Sequence, residues 1–220
     1  MVPLASFLTW LDGVERELMH AVTCRLYAPW LDPILLGVQD KWVAIPLALA
    51  AIVGIGIRRR RHALRVLLAC AIGFGLAMLL ADGIRAAVAR QRPPHAYEHL
   101  LLTAEELATC EANPDALAVR KSISRSRSFP SRHGLTIGVF VTVFLLASRP
   151  LGLVALLVGL LAAVGRVYAA KHWPSDVLAG LVLGALVGWA VWRWLPAALD
   201  RVRLGWLVRE PPAAGPPVGG

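Results

Sequence analysis

Charged residues are scarce in this 220-residue chain. They make up 17% of the sequence, while 57% of the residues are hydrophobic and the mean hydropathy is +0.62. An ordinary soluble domain carries about 25% charged residues. The composition therefore excludes an ordinary water-soluble enzyme and indicates a protein whose solvent is the lipid bilayer.

Cysteine is also scarce, since the chain has only three. Three cysteines cannot form the disulfide framework of a small secreted domain. Cys70 lies in an apolar run, where a buried thiol is expected, and a pairing of Cys24 with Cys110 stays open. The N-terminus lacks a basic region ahead of an uninterrupted apolar stretch, so we predict no cleavable signal peptide.

Long apolar runs are abundant. A helix of about 20 residues spans the hydrocarbon core of a bilayer, which is about 30 Å thick. Five runs of about this length occur, at residues 42–57, 63–81, 131–147, 151–170 and 176–194. We therefore predict an all-α fold, a polytopic transmembrane helical bundle of five to six spans.

The segments outside the runs define the domain organisation. We predict three regions: an interfacial amphipathic N-terminal segment at 1–40, a transmembrane core at 41–196, and a cytoplasmic, largely disordered tail at 197–220. A sixth span within the first region is the alternative to an interfacial helix. A polar connection at 93–129 interrupts the core on its outer face, and Thr103 and Glu106 form a capping-box pattern that predicts a short surface helix there.

The net charge of +9 is unevenly distributed. Residues 58–61 are four consecutive arginines, and the positive-inside bias assigns such a block to the cytoplasmic side. Alternation of the spans then places Arg149 and the C-terminal arginines inside and the turn around His172 outside. Nucleic-acid binding would also fit a basic block, but its position between two spans disfavours that interpretation.

The first polar cluster follows the second apolar run. Arg85 and Arg92 are seven residues apart, so on a continuing helix they would point the same way within about 20°. Two guanidiniums on one face repel each other unless an anion lies between them, and their planar donor groups suit phosphate oxygens. The alternative is that both arginines extend towards lipid headgroups.

The second cluster precedes the third run. Pro130 and Ser131 mark a helix start, so free backbone N–H groups near Arg132 and His133 would attract an anion. The Ser131 hydroxyl could add a donor. Taken alone, a histidine at a helix start is more often a capping or surface residue.

The third cluster lies between the last two runs. Asp176 follows His172 by four residues and could orient its ring on one face of a helix, leaving the other ring nitrogen free as a nucleophile. Arg166 could add a phosphate ligand. His172 alone would equally fit an interfacial histidine, but the alternating topology places all three clusters on the outer face.

These stretches resemble the type 2 phosphatidic acid phosphatase superfamily, whose signature is K-x6-R-P, P-S-G-H and S-R-x5-H-x3-D. The matching stretches are Arg85-x6-Arg92-Pro93, Pro130-Ser131-Arg132-His133 and Arg166-x5-His172-x3-Asp176. Three positions depart from the signature: Arg85 replaces Lys, Arg132 replaces Gly and Gly165 replaces Ser. Arg132 could contact a diphosphate or a substrate headgroup, or could be a solvated side chain.

The resemblance implies a hydrolase that needs no metal and no cofactor. In this family His172 would attack phosphorus, Asp176 would orient it, and His133 would protonate the departing oxygen. The phosphate-binding residues would be Arg85, Arg92, Ser131, Arg132 and Arg166. The expected partners are a lipid phosphate and the membrane, with no nucleic acid; the sequence does not define an oligomeric state.

The strings around His133 and His172 are similar to bacterial members that act on undecaprenyl diphosphate. We therefore predict a multi-pass protein of the bacterial inner membrane that hydrolyses a polyprenyl diphosphate at the periplasmic face. Phosphatidic acid, phosphatidylglycerol phosphate and lipid A phosphate are alternative substrates, and a lipid phosphotransferase is an alternative activity. A non-catalytic transporter or scaffold would use the same arginines to bind headgroups. The related vanadium-dependent peroxidases are soluble, and the apolar runs of this chain argue against that branch.

The polar connection also carries a basic run. Its members are Arg120, Lys121, Arg125 and Arg127. This run fits a headgroup with more than one negative charge, but it equally fits general attraction to anionic lipid.

Overall fold

Helices dominate the computed structural model, which describes residues 4–26, 28–39, 41–101, 106, 109–120 and 125–208. The helices are α1 (Leu4–His20), α2 (Leu31–Gly37), α3 (Lys41–Arg58), α4 (Arg60–Ala87), α5 (Arg132–Ala147), α6 (Arg149–Tyr168) and α7 (Pro174–Arg201). Short helical turns add Ala21–Arg25, Pro93–His95, Cys110–Ala112 and Gly205–Leu207.

Each of the five predicted apolar runs falls on one helix, α3 to α7, although α4 extends six residues and α7 seven residues beyond the predicted C-terminal ends. Among the described residues, α4, α6 and α7 are long and apolar enough to cross a membrane by length and composition. Helix α5 is also apolar but has 16 residues. The helical bundle is therefore as predicted, while the number of complete spans is not fixed by helix length alone.

The expectation of an all-α chain is wrong for the polar connection. Two short strands, β1 (His99–Leu101) and β2 (Ala116–Ala118), pair in parallel, with His99 opposite Ala116. The central residue of β2, Leu117, is fully buried and packs with Met19 and Val167, so this connection forms a second small core instead of a solvated loop. The capping box predicted at Thr103 lies outside the described residues.

Helix α1 forms where the amphipathic segment was predicted, but its polar residues are not all on a solvated face. Glu15, His20 and Thr23 are buried together with Met19. The His20 Nε2 lies 3.0 Å from the backbone oxygens of Cys110 and of Asn113, so it is bonded to the polar connection. Helix α1 therefore packs on protein through part of its polar surface.

A disulfide joins Cys24 to Cys110, with the two Cα atoms 5.4 Å apart. It links the turn after α1 to the polar connection, and thus the pairing that the sequence left open is present. Cys70 is a buried free thiol, as expected.

Glycines set the distance between α5 and α7. A Cβ atom added to Gly184 of α7 would lie 2.1 Å from the Leu135 carbonyl oxygen, and one added to Gly138 of α5 would lie 2.3 Å from the Leu181 carbonyl oxygen. Any larger residue would separate the helices. This close contact holds the N-termini of α5 and α7 side by side, and both carry residues of the predicted site.

The predicted tail is partly helical. Helix α7 continues to Arg201 and a 3-10 turn follows at Gly205–Leu207, so regular structure extends into the region 197–208 that was expected to be mostly disordered. Residues 209–220 lie outside the described residues.

Candidate active site

The three predicted clusters meet at one end of the bundle. Backbone hydrogen bonds connect them: the Ser131 N–H donates to the Asp176 carbonyl (3.0 Å), and the Ser128 N–H donates to the Arg90 carbonyl (2.8 Å). The Trp173 indole N–H donates to the Gln91 carbonyl (3.0 Å). These bonds fix segments that are distant in sequence relative to one another.

The predicted helical stacking of Arg85 and Arg92 is wrong. Helix α4 ends at Ala87, and Val88 is extended with φ −104° and ψ 99°. Arg92 itself is extended, because Pro93 disfavours the helical conformation at the preceding residue. Both side chains are nevertheless buried, and the charge of Arg92 acts on Arg85, so the two arginines lie near each other without sharing a helix.

His172 and Asp176 form the centre of the site. Their side chains are 1% and 0% exposed, and the Nδ1 of His172 lies 3.6 Å from the Oδ2 of Asp176. At this distance the two side chains are in contact, but the two atoms are slightly too far apart for a hydrogen bond. The Nε2 of His172 faces the other way, 3.4 Å from Nη1 of Arg92. One ring nitrogen thus faces a carboxylate and the other faces a guanidinium.

The surroundings of His172 favour its neutral form. Burial, together with the positive charges of Arg92 and Arg166, lowers the pKa of His172 from 6.5 to about 4, although Asp176 acts in the opposite direction. At neutral pH the imidazole therefore has a lone pair on one nitrogen, as a nucleophile requires.

Three donors hold the carboxylate of Asp176. Its Oδ2 accepts from the Trp173 backbone N–H at 3.0 Å and from the Ser128 hydroxyl, and its Oδ1 accepts from Nη1 of Arg90 at 2.8 Å. The bond to Trp173 belongs to a capping box at the start of α7, in which the side chain of Asp176 accepts from the backbone N–H of the N-cap residue. Sequence reasoning missed Arg90 and Ser128 as site residues. Arg90 lies between Arg85 and Arg92 and Ser128 lies two residues before Pro130, but spacing alone did not indicate which neighbours face inwards.

Arg85 and Arg92 also hold loops. The Nε and Nη2 of Arg85 both donate to the Pro130 carbonyl, at 3.1 and 3.0 Å. Arg92 donates to the carbonyl and the hydroxyl of Ser126, at 3.0 and 2.9 Å, and to the Lys171 carbonyl. Burial lowers the pKa of Arg92.

Arg166 is buried on α6 and is held less completely. Its Nη1 donates to the Gln39 side-chain oxygen at 3.3 Å, and its Nε has no hydrogen-bond partner among the described residues. The charges of Arg85 and Arg92 act on Arg166. Three desolvated guanidiniums therefore repel one another, and an anion with several oxygens would relieve this repulsion.

The start of α5 contributes two predicted residues in different ways. Ser131 is buried and caps the helix, with its hydroxyl accepting from the Gly134 N–H at 3.2 Å. The side chain of His133 is exposed, and the charges of Arg166, His172 and Arg92 act on it. His133 is therefore accessible to solvent and near enough to His172 for their charges to interact.

Arg132 is exposed, unlike the three buried arginines. It forms an ion pair with Asp82 on α4, and both side chains are about half exposed. Of its two interpretations from sequence, the geometry favours a surface side chain, although its charge still acts on Arg85 and Arg92.

The departure at Gly165 has a structural reason. A Cβ atom there would lie 2.3 Å from the Leu35 carbonyl oxygen and 2.6 Å from Nε2 of Gln39. This amide donates to the Gly165 carbonyl at 2.8 Å, and its oxygen accepts from Arg166. Gln39 thus occupies the space beside Arg166 that a side chain at position 165 would need, and sequence reasoning gave no signal for it.

The basic run of the polar connection is mostly structural. Arg120 donates to the carbonyls of Tyr168 (3.1 Å) and Thr23 (2.7 Å), and Arg127 donates to the Ala86 carbonyl at 2.8 Å. Lys121 lies outside the described residues.

No three His, Cys, Asp or Glu side chains are grouped as metal ligands in the described part of the chain.

The same region decides the family. The family model described as the PAP2 superfamily matches residues 64–200, which contain all three clusters. This chain belongs to the PAP2 superfamily. The resemblance found in the sequence is confirmed, and the PAP2 protein is a multi-pass integral membrane protein.

Two relatives and one solved structure are similar to this PAP2 protein. It is 29% identical over 138 residues to a lipid A 1-phosphatase of Rhizobium johnstonii, covering 63% of this chain and 49% of the relative. It is 34% identical over 61 residues to an undecaprenyl-diphosphatase of Sulfolobus acidocaldarius, covering 27% and 30%. The chain thus spans about half the length of the first relative and less of the second.

A solved structure covers more of the chain. The phosphatidylglycerolphosphate phosphatase of Bacillus subtilis matches with a TM-score of 0.57 over 91% of this chain and 96% of that chain, at 21% identity. At this identity the match shows a shared fold and nothing further.

Proposed function

We propose that this PAP2 protein is a lipid phosphate phosphohydrolase that works through a phosphohistidine at His172. The observation that carries the proposal is the orientation of the His172 ring, with Nδ1 towards Asp176 and Nε2 towards Arg92. A nucleophile needs an orienting group on one side and a bound electrophile on the other. Asp176 supplies the orienting group, and Arg92 would hold the phosphoryl group beside Nε2.

In the first step, Nε2 of His172 attacks phosphorus while the bond from phosphorus to the lipid oxygen breaks. His133 donates a proton to that departing oxygen. The guanidiniums of Arg85, Arg92 and Arg166 neutralise the charge spread over the other phosphoryl oxygens, as in-line phosphoryl transfer requires. The product alcohol leaves and the phosphoryl group stays on nitrogen.

In the second step, His133 accepts a proton from water, the water oxygen attacks phosphorus, and the bond from phosphorus to nitrogen breaks. Phosphate is released and His172 returns to its neutral form. The exposed position of His133 supports both proton transfers, since leaving group and water approach from the open side.

For the substrate we propose the 1-phosphate of a lipid A-type glycolipid in place of the undecaprenyl diphosphate expected from sequence. The match to a lipid A 1-phosphatase extends over 138 residues, whereas the match to an undecaprenyl-diphosphatase extends over 61 residues. The second candidate remains undecaprenyl diphosphate, because the shorter match has the higher identity, 34% against 29%.

We further propose that the site faces the periplasm and the C-terminus faces the cytoplasm. The disulfide between Cys24 and Cys110 lies at the same end as His172, and disulfides persist in oxidising compartments. The arginine block at 58–61 lies at the opposite end, where the positive-inside bias places the cytoplasm. The two features agree and are independent of each other.

The test is phosphate release by purified protein in detergent, with EDTA and without an added acceptor lipid. The substrates are lipid A, undecaprenyl diphosphate, phosphatidylglycerol phosphate and phosphatidic acid. We expect the highest kcat/KM for lipid A and no release from His172→Ala. Release only when an acceptor lipid is added would indicate a phosphotransferase. Absence of release from every substrate would overturn the enzymatic proposal in favour of a transporter or scaffold.

A further inference from the structure

A buried carboxylate on α1 reaches the site from outside the residues that match the family. The family model begins at residue 64, whereas Glu15 lies on α1 and is 4% exposed. A buried carboxylate is destabilising unless it is paired. Its Oε1 accepts from the Ser175 backbone N–H at 2.9 Å and its Oε2 accepts from Nη2 of Arg90.

Arg90 connects this carboxylate to Asp176. Its Nη2 is bonded to Glu15, while its Nη1 donates to the Oδ1 of Asp176 at 2.8 Å and to the hydroxyl of Ser175 at 2.7 Å. One guanidinium is thus shared by two carboxylates, one on α1 and one on α7. Only one of its two terminal nitrogens engages Asp176.

The sharing of Arg90 between Glu15 and Asp176 affects whether the negative charge of Asp176 acts mainly on Arg90 or on His172. A guanidinium can bind a carboxylate through two parallel hydrogen bonds, which is its strongest arrangement. If Glu15 did not hold Nη2, Arg90 would be free to engage Asp176 in that way. The carboxylate would then be neutralised by Arg90 and drawn from His172, whose Nδ1 is already 3.6 Å away.

We propose that Glu15 is a positioning residue for the catalytic pair: by holding one side of Arg90, it keeps the carboxylate of Asp176 directed at His172. The proposal rests on the proposed function of His172 as nucleophile. The N-terminal segment is then part of the catalytic machinery, although it lies outside the family match.

Several contacts fix α1 in the position that this role requires. Arg16 donates to the Ala96 carbonyl at 3.0 Å, and the Tyr97 hydroxyl donates to the Arg16 carbonyl at 2.9 Å. Met19 is fully buried in a cluster with Trp173. The disulfide at Cys24 adds a covalent link just beyond the helix. These contacts of Arg16, Met19 and Cys24 therefore hold the part of the chain that carries Glu15.

The test compares three variants with a matched control. Glu15→Gln keeps an oxygen that can accept from Ser175 but presents no charge to Arg90. Arg90→Met removes the shared guanidinium, and the double variant removes both groups. Glu17→Gln removes an exposed carboxylate from the same helix and serves as the control. Thermal unfolding of each purified protein shows whether it is folded.

We expect Glu15→Gln to lower kcat about tenfold with KM unchanged, a typical loss for a residue that supports a catalytic ligand from behind. Glu17→Gln keeps the wild-type kcat. Because Glu15 acts through Arg90, the double variant has a kcat no lower than that of Arg90→Met alone. A wild-type kcat in Glu15→Gln, or a double variant that loses the product of the two single losses, would overturn the proposal.

A second measurement does not depend on turnover. Carbon-13 labelled histidine allows NMR titration of His172, assigned by comparison with His172→Asn. The groups that act on His172 from the surrounding elements are Arg92, Arg166, His133 and Asp176. Asp176 raises the pKa of His172, so a carboxylate drawn towards Arg90 lowers it. We expect a lower pKa in Glu15→Gln than in the wild type and in Glu17→Gln.

The two measurements separate the two proposals. If wild-type protein releases no phosphate but the pKa of His172 falls in Glu15→Gln, the positioning by Glu15 holds and the proposed function fails. If wild-type protein is active and neither kcat nor the pKa responds to Glu15→Gln, the positioning role is wrong and the proposed function stands.

Discussion

The arginines at the two ends of the bundle are placed in opposite ways. At the end opposite the site, the side chains lie in solvent: Arg60, Arg61, Arg149, Arg193 and Arg201 are all exposed. At the site end, Arg85, Arg92 and Arg166 are 7%, 7% and 8% exposed. Both sets lie near helix ends, so position along the sequence does not separate them.

The difference separates arginines that suit a topological signal from arginines that suit an anion-binding site. An exposed arginine keeps its hydration, and its charge then serves to orient the chain in the membrane. A buried arginine has lost much of its hydration and needs compensation from protein groups. Carbonyl and side-chain oxygens compensate Arg85 and Arg92 only in part, because their charges still act on Arg166. This excess of buried positive charge is suited to an anionic substrate.

The largest effect is expected at the histidine between these arginines. His172→Ala removes the proposed nucleophile, and we expect kcat to fall by about 10³-fold or more. Phosphate release from the preferred lipid measures the loss. The protein should still fold, because the α5–α7 contact that positions the site does not include the imidazole, and thermal unfolding checks this. Substantial remaining activity would exclude His172 as nucleophile.

The second effect distinguishes charge from shape at Arg85. Arg85→Ala removes a buried charge and releases the Pro130 carbonyl, so we expect kcat/KM to fall about 10²-fold. Arg85→Lys keeps the charge and one donor, and lysine is the residue of the family signature, so it should remain active. The comparison of the two variants is the measurement. Equal activity of both would remove Arg85 from the site.

The fold and most of the site could be predicted because helices that span a membrane need long apolar runs, which are easy to recognise in a sequence. Apolar runs gave α3 to α7, and alternation placed His133 and His172 at one end. The reason given for Arg85 and Arg92 failed, because the helix was assumed to continue past Ala87 despite Pro93. Arg85 and Arg92 are therefore both buried near each other, although the local geometry predicted for them was wrong.

The parts that could not be predicted are contacts between distant segments. Glu15 and Gln39 look like residues of an amphipathic segment, and no spacing relates them to Arg90 or Arg166. Their roles depend on how α1 and α2 pack on the polar connection and on α6, which periodicity does not encode. The strands β1 and β2 were also missed, because strands of three residues leave almost no recognisable pattern in the sequence.

A moderate effect is expected from restoring the family residue at position 165. Gly165→Ser should lower kcat/KM about tenfold and destabilise the protein by ~1–3 kcal/mol, because its Cβ would overlap the Leu35 carbonyl and displace Gln39 from Arg166. Gly83→Ser is the control, since a Cβ there meets nothing within 4 Å. Kinetics and thermal unfolding measure both. Full activity in Gly165→Ser would show that Gln39 does not support Arg166.

The smallest effect is expected at the opposite end, and it tests the comparison most directly. Arg60→Gln and Arg149→Gln each remove one exposed charge far from His172. Exposed charges contribute about 0–1 kcal/mol to stability, and each variant keeps the other exposed arginines at the same end. We therefore expect kcat and KM to stay at wild-type values in the phosphate-release assay. If either variant lost activity as Arg85→Ala does, exposure would not separate the two sets of arginines, and the end opposite the site would have to take part in binding or turnover.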